Sequence, residues 1–415
     1  MGPPVVYSES ASPETEPNEQ ILADLIDDED GESISGDMST VSITSSILAY
    51  RNRYGRTYEN IQSTEYWAPN DAQQNHGLDL THFGLFFTLD EKLFLAPIEA
   101  PKRVLDIGTG TGIWAIDFGD EYPEAEVTGT DLSPIQPVVV PPNVKFVIED
   151  CLLDWTWPEN HFDFIHIRAM YGSVPDWVDL YSKAYTHLAP GGWIQDLEMD
   201  VKLQSDHVKL PPDHVFNTWA DTFYTAGEKM GRSFAVCKGH TMRDNLRAAG
   251  FVDIVEKKIK APMHLWPSDQ RLKRAGELFL EALEQSIEGY ATLLLMDLLG
   301  WYREEVQVLL GLFRKEMKDK SKCAWVETTV VALLWQTRLG QHQRKISPEG
   351  PPEEKDNSRS RSAARLEAAW SDAGYQPSAR LQPHPRLAKT QSTTQRLVHI
   401  PVKAKLYLIP VYQDI

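Results

Sequence analysis

Between residues 101 and 200, short apolar runs alternate with stretches in which apolar residues recur every three or four positions. The runs are Arg103 to Ile107, Glu126 to Thr130, Val144 to Ile148, Phe162 to Ile167 and Gly192 to Leu197. Strands separated by helices predict a parallel sheet covered on both faces, because a parallel crossover needs an element to carry the chain back. Upstream, the aromatic-rich residues 50 to 98 predict helices packed on that core. Downstream, residues 203 to 249 read as helical, with Phe216, Trp219 and Phe223 at helical spacing, and Phe251 to Val255 reads as a strand after Gly250. Residues 268 to 318 predict two or more amphipathic helices, begun by Ser268 or Asp269 and broken at Gly300; Thr328 to Trp335 reads as a last strand.

The division expected is therefore an acidic tail over 1–45 and one α/β unit over 46–340, followed by a tail over 341–415. Within the unit, 46–100 are N-terminal helices, 101–200 a ligand-binding core, and 203–247 with 268–318 a helical cap. Both tails are rich in polar residues and Pro, a composition that buries too little surface to offset chain entropy. Within them, Glu19 to Ile26 could fold as a short interaction helix, and Leu397 to Tyr412 has strand-like composition.

Chemistry enters at Val104-Leu105-Asp106-Ile107-Gly108-Thr109-Gly110-Thr111-Gly112, an apolar strand running into a glycine turn, after which Ile113 begins a helix. Such a turn lets a nucleotide approach the backbone. The dinucleotide fingerprint G-x-G-x-x-G fails, since Ile113 holds the slot of its third glycine, and no Gly-Lys-Ser/Thr follows for a phosphate loop. Asp106 would repel a pyrophosphate but suits S-adenosylmethionine, which has no phosphate and carries an ammonium and a sulfonium. Asp131, at the tip of the second strand, is placed to accept hydrogen bonds from ribose hydroxyls, with Leu132 beside it; the competing reading is a turn aspartate before Ser133-Pro134. Asp150 ends the third strand, where a carboxylate can meet an adenine amino group and Cys151 can pack on the ring. The cofactor contacts expected are Asp106, Gly108, Thr109, Gly110, Gly112, Asp131, Leu132, Asp150 and Cys151.

Composition narrows the classes. The net charge is −19 with an isoelectric point near 5.1, which disfavours direct nucleic-acid binding through phosphates. Three scattered cysteines and no HExxH motif leave no framework for disulfides or a zinc site, so no metal is expected. No apolar run approaches the roughly 18 residues of a membrane span, and the start MGPPVVYSES lacks a secretory pattern. Gly2 is not followed by Ser or Thr at Val6 as myristoylation requires. A cytoplasmic protein with no membrane contact is expected, the nucleus being the alternative.

Longer motifs then add up. YWAPND at Tyr66 to Asp71, LDLTH at Leu78 to His82, APIEAPKRVLDIGTGTGIWAIDF ending at Phe118, GTDLSPIQP at Gly129 to Pro137, DWTWPENHFDFIHIR at Asp154 to Arg168 and APGGW at Ala189 to Trp193 follow in order. Over Tyr66 to Lys318 the chain resembles the fungal LaeA-like class I methyltransferases. The resemblance implies a Rossmann-like fold, a doubly wound, mostly parallel seven-stranded sheet, with S-adenosyl-L-methionine as cofactor. It implies either a small-molecule acceptor from secondary metabolism or a nuclear regulatory role through protein partners, with the N-terminal tail as the docking arm. Two departures stand out: Phe83 follows His82 where the family has a second histidine, and the strand after Gly192 ends Gln195-Asp196-Leu197-Glu198. For base catalysis or substrate positioning the candidates are His82, His166, Arg168, Tyr171 and Glu198. The cap aromatics Trp219, Phe223, Tyr224 and Phe279 either line an apolar acceptor pocket or pack.

Overall fold

The computed structural model describes residues 50–60 and 66–334. The two expected tails, with the Glu19 to Ile26 helix and the Leu397 to Tyr412 run, lie outside the described residues.

A hairpin opens the described chain, β1 (Arg51–Arg53) and β2 (Arg56–Tyr58), followed by helix α1 (Ala72–Thr88). The core then runs β3 (Arg103–Ile107), α2 (Ile113–Glu121), β4 (Glu126–Asp131), β5 (Val144–Ile148), β6 (Phe162–Arg168), α3 (Trp177–His187) and β7 (Leu188–Gln204). Beyond it come α4 (Val215–Met230), α5 (Thr241–Ala248), β8 (Val255–Pro262), α6 (Gln270–Thr292), a π-helical turn over Leu293–Leu298, α7 (Arg303–Met317) and β9 (Trp325–Leu334). The seven-stranded sheet has the order β5-β4-β3-β6-β7-β9-β8, and β9 alone runs antiparallel to its neighbours.

Side chains of the central strands alternate between two cores, as the two-residue period of a strand demands. Val104 and Phe164 face Trp114 and Phe118, joined by α4, α6 and α7 through Trp219, Phe279 and Phe313. Leu105 and Ile165 face Trp177, Leu180 and Tyr181 of α3, with Met242 and Leu246 of α5. The chain passes from β3 to β4 on one side and returns to β6 on the other, so a crevice opens at the carboxyl ends of β3 and β6.

Three elements differ from expectation. The aromatic segment after Tyr50 begins with a hairpin, turning at Tyr54 and Gly55 with positive φ. Residues 203 and 204 finish β7 rather than starting a helix, and α4 begins only after Pro211-Pro212. The strand placed at Phe251 to Val255 starts at Val255 instead: Asp253 has φ of +56°, and Phe251 is buried against Tyr185 as an apolar stop to α5. Asp269 caps α6 by accepting from the Leu272 amide at 2.9 Å, and Gly300 separates the π turn from α7.

Candidate functional site

A cavity of about 140 Å³ lies along the carboxyl ends of β5, β4, β3 and β6. Its floor is the glycine turn, and its roof is α1 with the preceding Tyr66 to Asn70 segment, through residues such as Tyr66, Asn70, Leu78 and His82.

The turn is held from three directions. From below, Asp106 accepts from Thr109 Oγ1 at 2.6 Å and pairs with His166 Nδ1 at 2.7 Å. From the side, the Gly110 amide donates to Asp131 Oδ2 at 2.8 Å. From the roof, Asp79 accepts from Thr111 Oγ1 at 2.6 Å. Gly108 has φ of +66°, and a Cβ there would sit 2.2 Å from Met170 Sδ. Only glycine gives both the backbone shape and the space.

Asp131 also accepts from the Ser133 amide at 2.9 Å. Burial pushes its carboxyl up to about 6, against the pull of these backbone donors. Asp150 accepts from the Leu152 amide at 3.0 Å, and burial first, then Asp150, pushes the Cys151 thiol up to about 12. That thiol is therefore a packing group, with no thiolate at neutral pH. At the opposite end, His82 Nε2 lies 2.9 Å from Asp117 Oδ2, and its Nδ1 lies 3.1 Å from Arg168 Nη1. Burial lowers the His82 pKa, so the ring is neutral and donates from Nε2 while accepting at Nδ1.

Gly108, Thr109, Gly110, Asp131, Leu132, Asp150, Cys151, His82 and Arg168 all line the cavity. Asp106, Gly112, His166, Tyr171 and Glu198 do not; Tyr171 packs against Trp67 and Phe234, and the other four are held locally. Both oxygens of Asp106 are taken by Thr109 and His166, so it braces the turn from behind instead of facing a ligand. A Cβ on Gly112 would meet the Phe146 ring at 2.3 Å, so this glycine admits a core aromatic. His166 is buried, stacked on Trp114 with ring centroids 3.7 Å apart. Glu198 is buried and accepts from the Met170 and Tyr171 amides at 2.7 and 2.9 Å, fixing the segment after β6. Trp219, Phe223 and Phe279 belong to the core, and no residue of 203–318 lines the cavity; α6 packs behind α1 instead. Tyr66, Asn70, Thr111, Ser133 and Met170 line it without having been singled out for the site. The YWAPND motif was the available signal for Tyr66 and Asn70; Met170 had none.

The lining carries three carboxylates, Asp131, Glu149 and Asp150, and one guanidinium, Arg168, with no lysine at the glycine turn. Such a set suits hydroxyls and amines and is hostile to a pyrophosphate. Among the described residues, no cluster of three or more His, Cys, Asp or Glu could hold a metal, and no helix is long and apolar enough to cross a membrane.

Fold and site together define a class I S-adenosylmethionine-dependent methyltransferase. A methyltransferase-domain family matches residues 84–256, and methyltransferase pytC of Aspergillus terreus is 38% identical over 303 residues, covering 72% of this chain and 91% of that protein. Secondary metabolism regulator LAE1 of Cochliobolus heterostrophus is 39% identical over 241 residues (57% of this chain, 78% of that protein), and protein-methionine methyltransferase laeA of Emericella nidulans is 32% identical over 275 (65% and 72%). The chain belongs to the LaeA-like family of fungal methyltransferases.

Proposed function

We propose that the protein methylates a small-molecule acceptor of secondary metabolism. The observation that carries this reading is the roof: α1 and the Tyr66 to Asn70 segment line the cavity together with the glycine turn. A folded protein surface does not reach beneath such a cover, whereas a compact molecule does. We assign Asp131 to the ribose hydroxyls, Asp150 with Cys151 and Leu132 to the adenine, and the Gly108 to Gly110 backbone to close approach. Bound S-adenosylmethionine supplies a methyl group made electrophilic by its sulfonium. The chain then has to hold the acceptor atom in line and exclude water, and positioning of this kind supplies up to about 7–11 kcal/mol. His82 is engaged at both ring nitrogens and so has no lone pair for base catalysis. His82 instead acts by positioning Arg168.

The second reading is a regulator that works through protein partners, docked by the acidic segment over 1–45. The names of the LAE1 and laeA relatives favour it. Cytoplasm suits the first reading and nucleus the second. Incubation with methyl-labelled S-adenosylmethionine and a fungal extract, separated into small-molecule and protein fractions, tests both. Label among small molecules supports the proposal; label confined to protein overturns it in favour of the regulator.

A further inference from the structure

A helix on the outside of a fold keeps its apolar residues on the core side and polar ones on the other. Helix α7 departs from that rule. Val306, Leu309, Leu310, Phe313 and Met317 fill its core side. Yet Val308 and Leu312 stand on the outer side, 62% and 49% exposed, and among the described residues no other helix exposes a large apolar side chain. Between them lies Gly311. Of the described glycines, it alone combines an ordinary φ with open space where a Cβ would stand. Glycine inside a helix is destabilising relative to alanine. Nothing in this chain crowds the position, so the small residue makes room for something outside it.

The charges on the same face say what approaches. By helical spacing, Glu304, Val308, Gly311 and Lys315 fall within a sector of about 60°, with Leu312 beside it. Glu304 and Lys315 are exposed, and neither forms an ion pair among the described residues, whereas Arg314 and Lys318 both pair with Glu284. The stripe is thus acidic at its start, apolar in the middle and basic at its end. Turned end for end, it matches itself. In an antiparallel pair centred between Leu309 and Leu310, Glu304 of one copy meets Lys315 of the other, and Val308 meets Gly311. Two-fold symmetry makes each contact twice. A valine set against a glycine lets the helix axes come close, and the opposed helix dipoles attract. A uniformly acidic or basic partner would meet like charge at one end of the stripe, whereas a second copy meets opposite charge at both.

We propose that the outer face of α7 is the contact surface of a two-fold dimer of this chain, with Val308 seated on Gly311 and Glu304 paired with Lys315 across the axis. No residue of α7 lines the cavity, so the inference stands independently of the cofactor site. The helix has 15 residues and is about 22 Å long. A pair that short buries less than the roughly 1,200 Å² of a stable complex, so the dimer should dissociate at about 10–100 μM. Sedimentation velocity of the full chain across that range should show a monomer–dimer equilibrium that weakens with salt. Glu304→Lys and Lys315→Glu each turn both symmetry-related attractions into repulsions, and each should raise the dissociation constant about tenfold or more. Mixed together, the two variants should form dimers again, because both contacts between positions 304 and 315 then join opposite charges. That recovery also shows that both variants are folded. A wild type that stays monomeric throughout overturns the proposal in favour of another occupant of the face. A dimer that neither reversal weakens, or a mixture no more dimeric than its components, overturns it as well.

Discussion

Gly108 offers a clean measure of how tightly the cavity floor is packed. Its φ of +66° is a left-handed conformation, which costs a residue with a Cβ about 1–2 kcal/mol. The less flexible unfolded chain of an alanine variant returns about 0.4–1 kcal/mol of that. Gly191 supplies the control: its φ is +82°, and a Cβ there meets nothing within 4 Å. Gly191→Ala should therefore cost between about 0 and 1.6 kcal/mol. Gly108→Ala carries the same backbone cost and also sets its methyl 2.2 Å from Met170 Sδ, with Cε and Cγ at 3.3 and 3.4 Å. Forcing a methyl into filled space costs about 1–3 kcal/mol.

The excess over Gly191 should thus be about 1–3 kcal/mol in urea unfolding followed by tryptophan fluorescence. It should vanish when Met170→Ala is introduced first, because the double-mutant cycle then removes the one contact at issue. Both residues line the cavity, so S-adenosylmethionine affinity should fall in Gly108→Ala and recover in part in the double variant. A Gly108→Ala cost unchanged by removal of the Met170 side chain would refute the packing argument.

Other predictions follow from buried titratable groups. Asp131, held near 6 by burial, accepts ribose hydroxyls best when ionised, so cofactor affinity measured by calorimetry should fall as pH drops through that value. Asp131→Asn should weaken binding about 10- to 100-fold and flatten the profile. Asp196, buried beside Tyr181 and Glu198, is pushed up to about 7 by burial, its Oδ2 accepting from Tyr181 at 2.6 Å. From about 4, the ordinary value for an aspartate, up to that pH, the folded state keeps a proton the unfolded state has lost. Stability therefore falls as pH rises through this window, by up to about 1.4 kcal/mol per pH unit. Asp196→Asn should remove that slope, so its unfolding free energy should gain on the wild type between pH 5 and 7; parallel curves would sink the idea. His166→Phe keeps a ring against Trp114 but strips the donor from Asp106, and should cost about 1–3 kcal/mol in the same unfolding assay.

What the sequence disclosed was whatever periodicity and glycine chemistry encode. The runs at Arg103 and Phe162 are strands because apolar side chains alternate between two buried faces, and that alternation is written in the residues. The glycine turn and the acid at the tip of β4 were legible for the same local reason. The facing of a side chain was not. Asp106 looks like a ligand group in the sequence, but it is two residues short of the turn and shares a strand face with Val104, so it points into the core. His166 lies opposite it in the β3–β6 register, which only pairing between distant segments reveals. Met170 reaches the cavity because Glu198, 28 residues away, holds its amide. The hairpin at Tyr54-Gly55 escaped notice because its strands are three residues long, too short to show a period.

These buried polar groups have a common consequence for binding. Asp106, His166 and Gln195 lie side by side across β3, β6 and β7, and Gln195 accepts from the Leu95 and Ala96 amides at 2.7 and 2.9 Å. This row ties the segment before β3 to the sheet beneath the site, while Asp131 holds the turn from the side and Asp79 from the roof. Asp106 and Asp79 are spent on donors of the chain itself, which would be wasteful if their purpose were to touch a ligand. It is economical if the purpose is to fix the turn before the ligand arrives. A floor already ordered loses little entropy on binding, so more of each ribose and adenine contact survives as affinity. The same argument extends to the roof. Tyr66 to Asn70 is anchored in turn: the Asn70 amide donates to the Thr57 carbonyl at 2.9 Å, and Trp67 is buried against Phe223 and Phe234.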